Sequence, residues 1–269
     1  MQDFTNQQCQ NMNINDVTAL TDERDDNTYA IAKLADGKCW MIENLRLDDS
    51  VELSSTNTNN PSLPLTNIYD SNITSNHLSH SSSVAYDATT APEGWCNINS
   101  SACIDQSRLK TDNTTLFTNN TSSSQSGNIY NYGNYYNWYS ATAGHGTYDK
   151  TSNDTIGDIC PSGWRLPTGG AVTADYSILD IAMGGTGAEQ SYNSGIQQSA
   201  KWRSYPNNFV YSASWDRGRY GEYWTSSAGG NNGAYTLDFG PISYYSSFNP
   251  GTKYDNKYSD KVVRCVADV

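Results

Sequence analysis

Cysteines stand at Cys9, Cys39, Cys96, Cys103, Cys160 and Cys265 of a 269-residue chain, and no two form a Cys-x-x-Cys pair. An even set spread along the whole length, in a chain poor in charge and rich in Asn and Ser, fits oxidised pairs formed outside a reducing cytoplasm. Six cysteines allow many pairings, and buried reduced thiols are the alternative. The pairing expected joins Cys96 to Cys103, which close a short loop. It joins Cys160 to Cys265, tying the start of one module to the final strand, and leaves Cys9 for Cys39.

Only 36% of residues are hydrophobic and only 16% charged, so the polarity comes from uncharged Asn, Ser, Thr and Tyr. Disordered chains combine low hydrophobicity with dense charge, and this one does not. With 7 Trp, 20 Tyr and 5 Phe it still buries a sizeable core, because each buried aromatic removes roughly 150–250 Å² from water. The net charge of −12 opposes nucleic acid and anionic membrane surfaces as partners. No run of about 18 apolar residues is present, so no membrane insertion is expected. The opening Met1-Gln2-Asp3-Phe4-Thr5 has no targeting pattern and reads as the start of a mature domain.

Along the chain, Phe4, Cys9 and Met12 suggest a short helix or turn anchored by Cys9. Asp22, Glu23, Asp25 and Asp26 read as a solvated turn leading into a strand over 28–34. Asp36-Gly37 is a hairpin signal, and 38–45 reads as the returning strand. Residues 48–128 are dense in Asn, Ser and Thr and form a polar insertion with scattered apolar anchors, unusual in length for a compact domain. Tyr130, Tyr132, Tyr135, Tyr136, Trp138 and Tyr139 read as an aromatic core plug, with a short helix over 135–143. Thr173 is the expected cap of a helix through Tyr176, Ile178, Leu179, Ile181 and Ala182, stopped by Gly184-Gly185. Trp202 is expected to dock this region on the core. Lys201, Arg203, Arg217 and Arg219 make 201–219 locally basic, with Lys261 and Arg264 adding to it.

The last fifth carries the functional reading. Tyr223-Trp224-Thr225-Ser226-Ser227 and 234–239 alternate as strands, and the valine-rich 262–268 closes the chain. Residues 243–258 between them show no regular pattern and consist almost wholly of Tyr, Ser, Asn, Asp, Gly, Lys, Pro and Phe. A β frame carrying such a segment suits recognition. Tyr supplies contact area at little entropy cost, while Ser, Asn and Gly adapt their hydrogen bonds.

Five blocks in order, Gly37-Lys38-Cys39-Trp40-Met41, Tyr135-Tyr136-Asn137-Trp138-Tyr139, the run 160–168 (Cys-Pro-Ser-Gly-Trp-Arg-Leu-Pro-Thr), Tyr223-Trp224-Thr225-Ser226-Ser227 and Val263-Arg264-Cys265-Val266, resemble the Fibrobacter succinogenes major paralogous domain family. That family is similar to the formylglycine-generating, sulfatase-modifying-factor branch of the C-type lectin fold. The resemblance implies an α+β C-type lectin-like fold with short helices, twisted antiparallel sheets and long polar loops. One domain would span 1–269, with 48–128 inserted and 207–265 the candidate variable, ligand-binding region. The same fold carries the variable proteins of diversity-generating retroelements, in which adenine-templated codons near the C-terminus are rewritten. Residues 243–249, with Tyr254, Asp255, Asn256 and Tyr258, look like such a set.

The resemblance therefore implies a ligand-binding set of Trp215, Arg217, Arg219, Tyr220, Glu222, Tyr244, Tyr245, Ser247, Phe248, Asn249, Tyr254, Asn256 and Tyr258. Tyr244, Tyr245, Phe248, Tyr254 and Tyr258 would be aromatic anchors beside a Trp215–Arg217–Arg219 patch, since interface hot spots favour Trp, Tyr and Arg. The partner would be a protein or glycan on another cell or a phage, met at the cell surface or outside it. No catalytic residue is assigned. Formylglycine-generating enzymes need two closely spaced reactive cysteines near the C-terminus, and only Cys265 lies there. No metal is assigned either: His77, His80 and His145 stand apart from the cysteines, and no Asp-x-Asp-x-Asp-Gly loop or Glu-Pro-Asn triplet is present. A structural calcium near 128–137 is the one cofactor that analogy with the formylglycine-generating fold suggests. A non-diversified surface or carbohydrate-contacting domain is the alternative reading.

Overall fold

The computed structural model describes residues 1–45, 47, 51, 53–54, 56–59, 136–143, 145–146, 150–189, 196, 221–239, 249–257, 259 and 261–268. Most of the 48–128 insertion, Cys96 and Cys103, Tyr130, Tyr132, Tyr135 and Trp202 lie outside them. So do Trp215, Arg217, Arg219, Tyr220, Tyr244, Tyr245, Ser247, Phe248 and Tyr258.

Helix α1 (Asn6–Asn11) forms because Thr5 and Gln8 make a capping box: the Thr5 hydroxyl accepts from the Gln8 N–H and the Gln8 amide oxygen from the Thr5 N–H. Lys33 Nζ closes its other end by donating to the Gln10 and Met12 carbonyls at 3.0 Å. Cys9 is the buried residue of this helix and is disulfide-bonded to Cys39. Strands β1 (Val17–Thr21), β2 (Thr28–Lys33) and β3 (Cys39–Met41) follow as an antiparallel meander. The β2–β3 turn falls at Gly37, whose φ of +81° is the conformation glycine supplies freely.

β1 was not expected, and the acidic run after it read as a solvated turn. Asp22 corrects that reading: it is fully buried, paired through both carboxylate oxygens to a buried Arg24. Burial alone would raise its pKa, but the Arg24 guanidinium holds it below the usual carboxylate range. Arg24 also donates to the Ile159 carbonyl at 2.8 Å, so this turn is a clasp onto a distant segment.

The chain closes the sheet it opened. β8 (Val266–Ala267) inserts between β3 and β4 (Trp164–Arg165), giving the order β1-β2-β3-β8-β4. The Cys160–Cys265 disulfide fastens the lead-in to β4 onto the lead-in to β8. Both faces of this sheet are covered. Tyr29, Ile31, Met41 and Ala267 enter one core, while Ala30, Ala32, Trp40 and Val266 enter another. Period-two alternation thus sends successive residues into different layers.

A second, antiparallel sheet of order β5-β6-β7 is built from β5 (Gly221–Ala228), β6 (Gly233–Phe239) and β7 (Asn249–Asn256). The two sheets meet through aromatics. Helix α2 (Trp138–Ala141), shorter than the helix expected over 135–143, is wholly buried and capped by Asn137. Trp138 Nε1 donates to the Thr225 carbonyl at 2.9 Å, and Trp224 Nε1 to the Tyr136 carbonyl at 2.6 Å. Tyr136, Trp138 and Tyr139 are therefore the core plug that the sequence suggested.

Helix α3 (Asp175–Ala182) covers the second core with Tyr176 and Leu179, and ends at Gly184 with φ +92°. Its N-cap is Ala174 and not the expected Thr173. The capping oxygen comes from further back: the Asp175 N–H donates to Thr168 Oγ1 at 3.0 Å, and the Asp175 carboxylate accepts from Thr168, Arg165 and Lys38. The overall class is α+β, mostly antiparallel strand with short helices.

Candidate ligand-binding face

β7 corrects the sequence reading that 243–258 is wholly irregular, since Asn249–Asn256 is a strand paired along β6. Its first half is docked. Asn249 is 1% exposed, and its Oδ1 accepts from the Thr252 N–H, the Thr252 hydroxyl and the Lys253 N–H. It braces a bulge and is withdrawn from the ligand-contacting set. Ser177 of α3 donates to the Pro250 carbonyl, and the Gly170 N–H to the Gly251 carbonyl at 2.6 Å.

The second half of β7 faces outward. Tyr254 is 58% exposed and lies opposite Tyr235 of β6, with ring centroids 6.0 Å apart and planes at 86°. Both rings rest on glycines. A Cβ at Gly233 would stand 2.5 Å from Tyr254 Cδ2, one at Gly229 2.6 Å from Tyr254 Cβ, and one at Gly170 2.7 Å from Tyr235 Cε2. Any larger residue would push the rings off this floor. The floor is anchored in turn: the Gly169 N–H donates to Ser227 Oγ at 2.8 Å, and Ser227 Oγ donates to Asp154. Asn256 is exposed two residues beyond Tyr254, on the same side of the strand and opposite Gly233.

The reverse side of the same sheet holds the charge. Glu222 of β5 and Asp238 of β6 are cross-strand partners, and Asp255 of β7 completes a carboxylate set around Lys261. Lys261 is fully buried, 2.7 Å from Asp255 Oδ2, in contact with Glu222 Oε2, and 5.2 Å from the centroid of the Trp224 ring. Asp238 is half-buried as a residue, but its Oδ1 is closed to solvent and takes no hydrogen bond. Desolvation first, then the Glu222 charge, push its pKa up to about 7, against the pull of Lys261. Burial opposes charge at Asp255 too, but there Lys261 wins and the pKa is lowered.

Lys261 and Arg264 were expected to extend a basic surface. Both are fully buried: Arg264 Nε donates to Asn44 Oδ1 at 2.8 Å, and its guanidinium lies 5.0 Å from the centroid of the Tyr223 ring. Glu222, expected at the ligand surface, is half-buried and held by Lys261. Of the expected set the described residues thus place Tyr254 and Asn256 together on an open face, with Glu222 and Asn249 in the frame beneath. Tyr235 was missed. Its signal was the alternation of 234–239 beyond a Gly-Gly-Asn-Asn-Gly turn, which becomes informative only once β7 supplies its partner.

Among the described residues no group of three or more His, Cys, Asp or Glu is arranged to hold a metal ion. Asn137, at the end of the stretch where calcium was considered, uses its Oδ1 to accept from the Ser140 N–H; residues 128–135 lie outside the described ones. No described helix is long and apolar enough to cross a membrane. Neither protein-family models, curated proteins nor solved structures yield a match to this chain.

Proposed function

We propose that this chain is an extracytoplasmic ligand-binding protein of C-type lectin-like fold, a retroelement-diversified variable protein that meets a protein or glycan on another cell or a phage through its C-terminal face. The observation that carries this reading is the division of labour within 221–268. Tyr223, Trp224, Leu237 and 262–267 are buried frame, whereas Tyr254 and Asn256 project from the same sheet into solvent. A rigid frame with exposed aromatic and amide positions is what recognition by side-chain replacement requires. Disulfides at Cys9–Cys39 and Cys160–Cys265 support an oxidising compartment. Bonding of Cys265 to Cys160 also favours binding over formylglycine-type oxidation, which needs a thiolate at that end of the chain.

Sequencing the coding region in parallel lineages of the source cell tests this. The expected result is replacement concentrated at adenine-bearing codons between 215 and 258, with Trp224, Leu237 and 262–267 constant. A reverse transcriptase gene should lie beside a near-copy of that region. Uniform identity across lineages with no such neighbour overturns diversification and leaves the non-diversified surface domain.

A further inference from the structure

We infer that the corner formed by Tyr235 and Tyr254, with Asn256 on its rim, is a subsite for a neutral sugar ring; this rests on the reading of the β7 face as ligand-binding. Three observations converge on it. Tyr254 is fixed in position. One side of its ring lies against Gly229 and Gly233, Tyr235 meets it at 86°, and 58% of the residue is still open to solvent. A ring that is ordered by its surroundings and left uncovered loses little further entropy when something flat is laid on it.

Among the described residues the open side of β6 and β7 also carries no charged side chain, and the one carboxylate anchoring the floor, Asp154, accepts from Ser227. Along β7 the side chains alternate, so Tyr254 and Asn256 share the open side. Lys253 and Asp255 point to the reverse one, where Asp255 is committed to Lys261. On β6 the residue opposite Tyr254 is Tyr235, and the residue opposite Asn256 is Gly233. In a chain of net charge −12 the described strand positions on this side are therefore neutral.

The chemistry on offer is an aromatic face beside a side-chain amide. The face carries partial negative charge and attracts the weakly positive C–H groups on one side of a pyranose. The amide both donates and accepts, as ring hydroxyls require. A protein-binding hot spot is differently built, with anchors seated in desolvated pockets ringed by other contacts. Here the described neighbours of the exposed ring are the backbone of Gly229 and Gly233, the edge-on Tyr235 ring and Asn256.

The test is titration of the full, disulfide-intact chain with a panel of neutral oligosaccharides (maltopentaose, cellopentaose, xylopentaose, mannopentaose and tetra-N-acetylchitotetraose). Calorimetry and saturation-transfer NMR provide the readouts. At least one sugar is expected to bind, with saturation reaching its C–H protons from tyrosine ring protons. Tyr254→Ala should weaken it by about tenfold or more, and Tyr254→Phe should retain binding, because the ring and not the hydroxyl is the contact. Two results overturn the subsite: no sugar in the panel binding at millimolar concentration, or binding that Tyr254→Ala leaves unchanged. If instead Tyr254→Ala disrupts capture of a protein partner while no sugar binds, the face stands and its ligand class is wrong. Failure of the lineage sequencing would strike diversification and leave this subsite untouched.

Discussion

In the five-stranded sheet, β2 sends Tyr29 and Ile31 into one core and Ala30 and Ala32 into the other, so no face is free. In the three-stranded sheet the same alternation sends Tyr223 and Leu237 into one core and Trp224 and Ala234 into the other. Further along, where α3 no longer covers it, it leaves Tyr254 open with Tyr235 behind it. Both described disulfides anchor the first sheet, Cys39 within β3 and Cys265 next to β8, and neither touches the second. Burial on both faces and covalent bracing build a frame; the far half of β7, an edge strand left uncovered, builds a display surface whose exposed positions can change at small cost. The contrast is measurable as a gradient in mutational effect from frame to face.

The steepest loss should come from the Cys160–Cys265 bridge. It spans 105 residues where Cys9–Cys39 spans 30. Loop-closure entropy then makes Cys160→Ala with Cys265→Ala cost about 4–5 kcal/mol, against about 3–4 kcal/mol for Cys9→Ala with Cys39→Ala. Urea unfolding of the two double variants checks the order. Equal losses, or a larger one at Cys9–Cys39, would mean that bracing of the closing strand does not dominate frame stability.

Next comes the knot behind the display sheet. Lys261→Met removes the cation that Glu222 and Asp255 share and should destabilise by about 2 kcal/mol, less than a fully buried pair would cost because the Asp255 carboxylate is 45% exposed. Tyr254→Ala, on the open side, should stay within about 0.5 kcal/mol in the same assay. Near-equal effects of the two would erase the distinction between the faces.

A smaller step separates two glycines of similar backbone. Gly170 has φ +84° and Gly184 φ +92°. A Cβ at Gly170 would stand 2.7 Å from Tyr235, while one at Gly184 meets nothing within 4 Å. Alanine at either carries the left-handed penalty of about 1–2 kcal/mol. Only Gly170→Ala should add displacement of the Tyr235–Tyr254 corner, visible as loss of any ligand binding that depends on Tyr254. Equal behaviour of the two variants would dissociate the floor from the face.

What was legible in the sequence follows from this physics. The β2–β3 hairpin was readable because Asp36-Gly37 and its flanking alternation are local signals. The helical turn around Cys9 was readable from apolar spacing. Of the two disulfides, Cys160–Cys265 followed from its tie to the final strand and Cys9–Cys39 was the pair left over. Residues whose burial depends on distant partners misled. Asp22, Lys261 and Arg264 look like surface charges until Arg24, Glu222 and Asn44 are brought beside them. Asn249 looks like a ligand contact because Asn is common there, yet its role is set by a bulge two residues on. The strand at β7 was hidden because its alternation is of Gly, Thr, Lys, Tyr, Asp and Asn, without the apolar beat that marks a covered strand. That same lack of apolar residues is what an open face needs.

The buried and half-buried carboxylates sharpen the comparison further, because they respond to pH in two opposite ways and frame and knot each hold both kinds. Asp158, fully enclosed in the frame, accepts from the Cys160 and Leu166 N–H groups and from Asn59, yet desolvation outweighs these bonds and holds its pKa at about 6. Asp238, in the knot, sits at about 7. Both are raised above the unfolded value of 3.8, so the stability they contribute is complete below that value and is lost as pH rises through 6 and then 7. Asp22, Asp175 and Asp255 are lowered by Arg24, by Arg165 and by Lys261 respectively, against their burial, so their contribution is present above the unfolded value and disappears as pH falls below it. The two trends balance close to the unfolded value, so together they place maximal stability at about pH 4, with a decline of about 1 kcal/mol or more toward pH 8. Asp238→Asn removes the ionisation behind the upper part of that decline. Its urea midpoint should therefore vary less between pH 6 and pH 8 than that of the parent chain, measured at high salt to suppress the general repulsion of an acidic protein. Identical slopes in the two proteins would mean that Asp238 is already ionised at neutral pH, and the knot would then be an ordinary surface-type ion pair network.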